Sequence, residues 1–310
     1  MLDRYDREGY YKIMEIRVLK YFLAVVKEGS ITGAAHSLHL TQPTLTRQLQ
    51  DLEKELNQKL FIRGKHKITL TPEGMFLKNR AAEIVEMVEK TEAEFKSISD
   101  VICGDIYIGA GETESMSLIA DIMKNLQENY SGIKYNIFSG NAEDVLDKLD
   151  KGLLDFALVI EPVDLEKYDY LTLPTKDVWG VVMRKDSELA KKEVVCVEDL
   201  INIPLLTSRQ MSPKYSKKSG FLDWFGDSFD KLNIVATHNL IYNAAIMVKS
   251  GLGYAVTLDK LVNTSDESEL CFRELYPKLE SQLDIVWKKQ QTFSPASKLF
   301  LKKLKESFLK

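Results

Sequence analysis

The 310-residue chain, 45% apolar and 28% charged with a formal net charge of −4, is too long for one ordinary core and too apolar to be disordered, so two globular domains are expected. No apolar run approaches the roughly 18 residues needed to cross a bilayer. Residues 1–12 carry six charges and lack the apolar segment of a secretory signal, which predicts a cytoplasmic protein with no membrane partner. The three cysteines, Cys103, Cys196 and Cys271, have neither C-x-x-C spacing nor histidines at ligand distance, so no disulfide framework, metal or cofactor is expected.

The modest acidity hides an asymmetry. Residues 14–71 hold nine Lys/Arg against five Asp/Glu, or +4, and residues 72–103 sum to −3. The remainder from residue 104 carries −5. A basic head on an acidic body points to a polyanion as partner of the head alone.

In chain order, Ile16, Leu19, Phe22, Leu23 and Val26 recur at helical spacing over 16–27. Gly29 then closes that helix, and Ser30 is placed to cap the next. This second helix, over 31–38, is short and rich in small residues (Gly33, Ala34, Ala35), which lets it cross close over a third. The third starts at Thr41-Gln42-Pro43, with Thr41 as cap and Pro43 in the first turn, where a missing N–H costs nothing. It continues through Leu45, Leu49, Leu52 and Leu56 until Asn57, a residue that tolerates the left-handed conformation. Residues 60–63 and 68–70 read as short strands around the basic turn Gly64-Lys65-His66-Lys67. Three helices and a basic hairpin predict a winged helix-turn-helix.

A long helix to about residue 97 is expected next. Leu77, Ala81, Ile84, Val88, Thr91, Phe95 and Ile98 alternate in steps of four and three, a heptad seam that predicts a coiled coil between two chains. From Gly104 strands and helices alternate. Strands are expected over 105–110, 134–138 and 156–160, and helices over 116–128 and 141–151. Segments 174–183, 195–206, 220–225, 244–248 and 254–258 extend the pattern, predicting a largely parallel α/β sheet in two lobes.

The third helix carries the chemistry of recognition. Gln42, Pro43, Thr44, Thr46, Arg47 and Gln50 lie near its N-terminal half, away from the leucine face. Gln can pair bidentately with adenine and Arg with guanine, while Thr reaches phosphate or a thymine methyl. The N-terminal part of such a helix enters the major groove. Ser30 and Thr32 suit phosphates at a helix N-terminus, and Arg63, Lys65 and Lys67 suit phosphate or minor-groove contacts from the hairpin.

Phe22-Leu23-Ala24-Val25, residues 30–35 (Ser-Ile-Thr-Gly-Ala-Ala), residues 41–49 (Thr-Gln-Pro-Thr-Leu-Thr-Arg-Gln-Leu), Leu52-Glu53, Leu60-Phe61 and Leu70-Thr71-Pro72-Glu73-Gly74 resemble the LysR-type transcriptional regulators. The match is dense over residues 14–74. It departs at Asn57, where the family usually has Gly, and residues 1–13 precede the family's usual start. The resemblance implies an N-terminal all-α winged helix-turn-helix plus a long linker helix, followed by an α/β two-lobed effector domain like a periplasmic binding protein. The expected divisions are an extension at 1–13, a DNA-binding domain at 14–72, a dimerising linker at 73–100 and an effector domain at 104–310. Within the last, lobe I would comprise 104–162 and 271–310, and lobe II 163–270. Gly251-Leu252-Gly253 resembles the family's late Gly-x-Gly strand entry, with Leu258 where Pro is common. The implied partners are promoter DNA, a small-molecule effector, further copies of the chain as homodimer or homotetramer, and RNA polymerase, all at the nucleoid.

In such a crevice, helix N-termini present N–H groups to a ligand. Three groups of residues fit: Thr113, Glu114 and Ser115 after the first strand, Ser139, Gly140 and Asn141 after the next, and Thr207 and Ser208 facing Thr237 and His238 in the second lobe. The resemblance implies effector-binding hydroxyls in the first of these. Glu112 and Glu114 would oppose an acidic ligand unless Arg209 or a proton offsets them, which leaves open a ligand with an amino or amide group.

Enzymatic activity is not expected. Three of the four histidines (His36, His39, His66) lie in the head, and His238 has no nucleophile motif, phosphate-cradling loop or metal signature near it. The alternative reading within the same fold is a thiol-based redox sensor using Cys196 and Cys271, 75 positions apart.

Overall fold

The computed structural model describes residues 14–63, 68–96, 102–211 and 220–308. Contacts divide the chain into two compact units, Met1–Glu92 and Ala93–Lys310. Among the described residues no helix is long and apolar enough to cross a membrane.

The first unit holds α1 (Ile16–Glu28), α2 (Ile31–Ser37), α3 (Gln42–Glu55), β1 (Phe61–Arg63), β2 (Ile68–Leu70) and the start of α4 (Pro72–Lys96). Local signals account for its joints. Gly29 adopts φ +66° at the end of α1, and the Ser30 hydroxyl accepts the Gly33 N–H at 3.0 Å. Thr41 accepts the Thr44 N–H at 3.4 Å, and Asn57 takes φ +50° after α3. His39, at φ +54°, makes the turn between α2 and α3 with no glycine to signal it. Leu19, Phe22, Val25, Ala34, Ala35, Leu45, Leu49 and Leu52 form the core, with Phe22 stacked at a tilt on Phe61, 5.2 Å between ring centres.

Two polar devices fasten the hairpin to the helices. Glu53, buried at the C-terminal end of α3, accepts the backbone N–H of Leu60 at 2.9 Å and the Lys59 ammonium at 2.9 Å. Burial pushes its carboxyl pKa up, but Lys59 and the backbone donors of Leu60 and Phe61 outweigh that and hold it below the usual value. The Thr71 hydroxyl donates to the Lys59 carbonyl at 2.6 Å and caps α4 by accepting the Gly74 N–H at 2.9 Å. Because Glu53 titrates low in the folded state, its stabilisation is present above the ordinary glutamate pKa of about 4.3 and is lost as pH falls through the folded value. Glu53→Ala should therefore cost about 2–3 kcal/mol at pH 7 by stranding buried N–H groups. Urea denaturation should show that gap narrowing at pH 3; a gap equal at both pH values contradicts the charged anchor.

The heptad seam divides. Leu77 and Ala81 are buried in the core of the first unit itself, so the sequence expectation that a partner chain covers them is corrected. The physical reason is the tight α4 entry at Gly74, which presses the first turns of α4 onto the domain. Farther along, Ile84 and Phe95 stay exposed, at 38% and 71% of their surface, and Val88 is half-buried. Ile98 lies outside the described residues.

The second unit begins with β3 (Gly104–Ala110), α5 (Met116–Asn129), β4 (Ile133–Ser139), α6 (Ala142–Asp150) and β5 (Phe156–Ile160), then β6 (Tyr168–Arg184). It continues through β7 (Val194–Val195), α7 (Val197–Leu200), β8 (Pro204–Ser208), α8 (Gly220–Phe225), β9 (Asn233–His238), α9 (Ile241–Lys249) and β10 (Tyr254–Leu258). It closes with β11 (Leu270–Leu275), β12 (Glu280–Lys288) and α10 (Pro295–Phe308). The strand order is β4-β3-β5-β12-β6-β10-β8-β9, with β11 pairing β6 and β7. The β4-β3-β5 and β10-β8-β9 groups are parallel, while β12 and β6 are antiparallel to their neighbours, so the sheet is mixed rather than largely parallel.

Apolar clusters lie on both faces of each half. Ile106, Ile108, Phe156, Ile285 and Phe300 anchor one half, and Val181, Met183, Leu205 and Val256 the other. The crossings differ from those expected at 162 and 270. Strand β6 pairs β12 through Val178 and then, from Trp179 onward, β10 and β11, so the chain passes between lobes inside β6. It returns between β11, which pairs the second-lobe end of β6, and β12, which pairs the first-lobe end. Residues 163–178 therefore go with the first-lobe strands and 271–275 with the second-lobe strands. A single strand shared by both sheets hides the passage, because the backbone stays extended from Tyr168 to Arg184 with no loop to mark the change of lobe.

Candidate functional site

Two surfaces carry polar side chains without a structural task. The first is α3. With Leu45, Leu49 and Leu52 buried, the opposite face presents Gln42, Pro43, Thr44, Arg47 and Gln50 to solvent, and Thr46 is half-buried at its margin. Arg47 is the most open of these charges, its side chain 83% exposed and its Nε 3.9 Å from Asp51 Oδ2. That pair is too exposed and too long to hold the guanidinium firmly. Asp51, an acid the sequence reading did not single out, also takes Lys54 at 3.2 Å. Thr44 shares a 2.8 Å hydroxyl contact with the cap Thr41. Ser30 already caps α2, while Thr32 is exposed on its first turn. Arg63 ends β1, and Lys65 and Lys67 lie outside the described residues.

The second surface is a cleft within the second unit, a cavity of about 440 Å³, large enough for a small organic molecule. Gly140, Asn141, Ser208 and His238 line it, together with residues the sequence reading did not single out: Glu143, Glu161, Asp164 and Trp179. Thr113 and Ser139 line an adjoining depression of about 260 Å³. Glu114, Ser115, Thr207 and Thr237 are not on the wall of either.

The hydroxyls expected to greet an effector are engaged elsewhere. Thr113 donates to Asp177 Oδ2 at 2.5 Å, and Ser115 donates to Asp177 Oδ1 at 2.9 Å, all three residues being buried. Thr207 is likewise buried, in the second-lobe sheet. Both hydroxyls thus spend their proton on Asp177, although Thr113 still lines the adjoining depression. Asp177 lies more than sixty positions away on β6, beyond the reach of any local sequence signal.

The helix N-termini facing the cleft are also occupied. Asn141 caps α6 by accepting the Asp144 N–H at 3.0 Å, and Glu143 and Asp144 occupy its first turn. At α9 the N-terminal residues carry no side-chain cap of their own; Glu112 Oε2 accepts the Ile241 N–H at 2.6 Å. Glu112 follows β3 in one lobe and Ile241 opens α9 in the other, so this carboxylate bridges the cleft. Arg209, expected to offset it, is exposed and not on the cavity wall. Both ring nitrogens of His238 are buried, and burial lowers its pKa against a small opposing pull from the Leu240 backbone, which favours the neutral imidazole.

The thiols are set apart. Register places Val195 opposite Leu275, so Cys196 is level with Tyr276, five residues along β11 from Cys271 and about 16 Å away at a strand rise of about 3.3 Å. A disulfide needs Cα atoms about 5.5–6 Å apart. Cys271 is buried, and burial raises its thiol pKa, which disfavours the reactive thiolate.

Known proteins share this plan. The family model for the bacterial regulatory helix-turn-helix protein, lysR family, matches residues 16–75, and that for the LysR substrate binding domain matches residues 99–309. The uncharacterized HTH-type transcriptional regulator YvbU of Bacillus subtilis (strain 168) is 26% identical over 297 residues, covering 95% of this chain and 99% of that one. BsdA, an HTH-type transcriptional regulator of the same organism, is 28% identical over 223 residues, covering 71% of this chain and 74% of its own. Full-length CbnR in complex with its target DNA superposes with a TM-score of 0.73 at 16% identity, over 95% of this chain and 100% of that one, a likeness of fold. The chain belongs to the LysR family, as a transcriptional regulator that joins a DNA-binding helix-turn-helix domain to an effector-binding domain.

Proposed function

We propose that the protein reads promoter DNA through the N-terminal half of α3, with Gln42, Thr46, Arg47 and Gln50 toward base edges and Ser30, Thr32, Thr44 and the wing residues Arg63, Lys65 and Lys67 toward phosphates. The observation that carries this is the α3 face itself: a run of polar, hydrogen-bonding side chains with Arg47 83% exposed, on a helix whose other face is core. The solved complex of CbnR with its target DNA supports the same use of the fold.

Two copies joined along α4 would present two reading helices to a roughly palindromic site. Residues 14–72 then serve as the reading head, 73–100 as linker and 104–310 as effector domain. A ligand in the cleft favours one arrangement of the lobes, and that preference is the coupling between effector and DNA. Pairing of dimers into a tetramer and contact with RNA polymerase would convert it into a transcriptional response in the cytoplasm, at the chromosome.

Selection of bound duplexes from a random library tests the reading helix. Wild type should enrich a motif, and Arg47→Ala should weaken binding to it by about 5- to 150-fold, the equivalent of about 1–3 kcal/mol for one bidentate contact, and relax one base position. Unchanged affinity and motif would remove Arg47 from the reading role.

A further inference from the structure

The geometry points to an organic cation, a primary amine or guanidinium compound, as the class of effector held in the cleft, an inference that rests on the effector-domain reading above. Anionic ligands in such clefts are taken by free helix N-termini and by Arg or Lys. Here polar side chains already sit on both termini: Asn141 accepts the Asp144 N–H of α6, and Glu112 reaches across from the other lobe to accept the Ile241 N–H of α9. Among the described residues, the cavity wall carries Glu112, Glu143, Glu161 and Asp164 and no Arg or Lys. Lys176, whose charge acts on Glu161, pairs with Glu280 at 3.8 Å instead of lining the cavity.

The carboxylates are distributed around the wall. Among the described residues no three acids or histidines converge as metal ligands, which favours an extended organic cation over a bare metal ion. Trp179 adds an aromatic wall, its Nε1 donating to Ser281 at 2.8 Å, so its ring is fixed beside a passing cation. Glu161, exposed at its edge but partly desolvated by the wall, is held above its ordinary value by that desolvation and by the nearby charge of Asp284 against the opposing pull of Lys176, and a cation beside it would relieve that cost. A cation that engages Glu112 competes with the Ile241 N–H for the same carboxylate, so binding acts directly on a hydrogen bond that ties the lobes across the cleft. That competition gives the ligand a differential hold on the two lobe arrangements.

Thermal unfolding of the full chain tests this, with putrescine and agmatine against succinate and benzoate at matched ionic strength. The amines should raise the Tm by about 3 °C or more near saturation, and the carboxylates should not. Glu143→Gln and Glu161→Gln, both at exposed positions that tolerate substitution, should each weaken the amine effect about tenfold. A carboxylate that raises the Tm while the amines do not would overturn the inference and leave the effector-domain reading intact. An amine shift that persists in both variants, or no shift with either class, would overturn it as well. Selective DNA binding by the same preparation keeps the reading of the head separate from that failure.

Discussion

Gly74→Ala should destabilise the protein by about 2–3 kcal/mol, the scale of overpacking in a core, although it adds a single methyl group. A Cβ built at Gly74 would meet the Leu60 carbonyl oxygen at 2.1 Å and a Leu70 methyl at 3.0 Å. Backbone cannot yield as a flexible side chain would. The Leu60 carbonyl is also the acceptor for the Thr71 N–H at 3.1 Å, so moving it loosens the clasp between the wing and α4. Lifting α4 withdraws Leu77 and Ala81 from the core of the first unit, which spreads the damage. Gly29→Ala offers the contrast: at φ +66° with nothing within 4 Å of the added methyl, it should cost only about 1 kcal/mol, from backbone strain alone. Urea denaturation of the two variants beside wild type reads the difference; equal stabilities would contradict the close approach.

The second large effect is expected in assembly. Ile84→Asp with Phe95→Asp removes the two most exposed apolar side chains left on the α4 seam and places charges where a partner helix would pack. The double variant should sediment as a monomer at micromolar concentration where wild type is a dimer. Its affinity for a duplex with two half-sites should fall by about 10²–10⁴-fold, the gain that joining two reading heads confers, with little change on a single half-site. A variant that remains dimeric would move the dimer contact off this stripe.

What could be read from the sequence alone follows the range of the interactions. The head was legible because its signals are local: Ser30 and Thr41 bond to N–H groups three residues on, Gly29 and Asn57 turn left-handed where helices stop, and the leucines of α3 recur within one helix. The glycines of the late strand entry were legible as a motif, and the structure supplies their reasons. Gly251 sits at φ +83°, and a Cβ at Gly253 would meet the Pro204 carbonyl oxygen at 2.3 Å. The divided seam of α4 was not legible, since a heptad looks the same whether its own domain or a partner covers it. Nor was the state of the cleft. Asp177 engages Thr113 from 64 positions away, and Glu112 reaches Ile241 across 129, distances over which composition and periodicity carry no information. The acidity of Glu112 was visible; its role as a cap for the opposite lobe depended on topology.

The most direct test of the account is a footprint of the full chain on a duplex bearing its selected motif, with wild type and Arg47→Ala side by side. Two protected half-sites are expected on one face of the DNA, separated by about 10–10.5 base pairs or a multiple of that, and lost in Arg47→Ala. Protection without symmetry, or a footprint unchanged by Arg47→Ala, would contradict a paired head reading through α3.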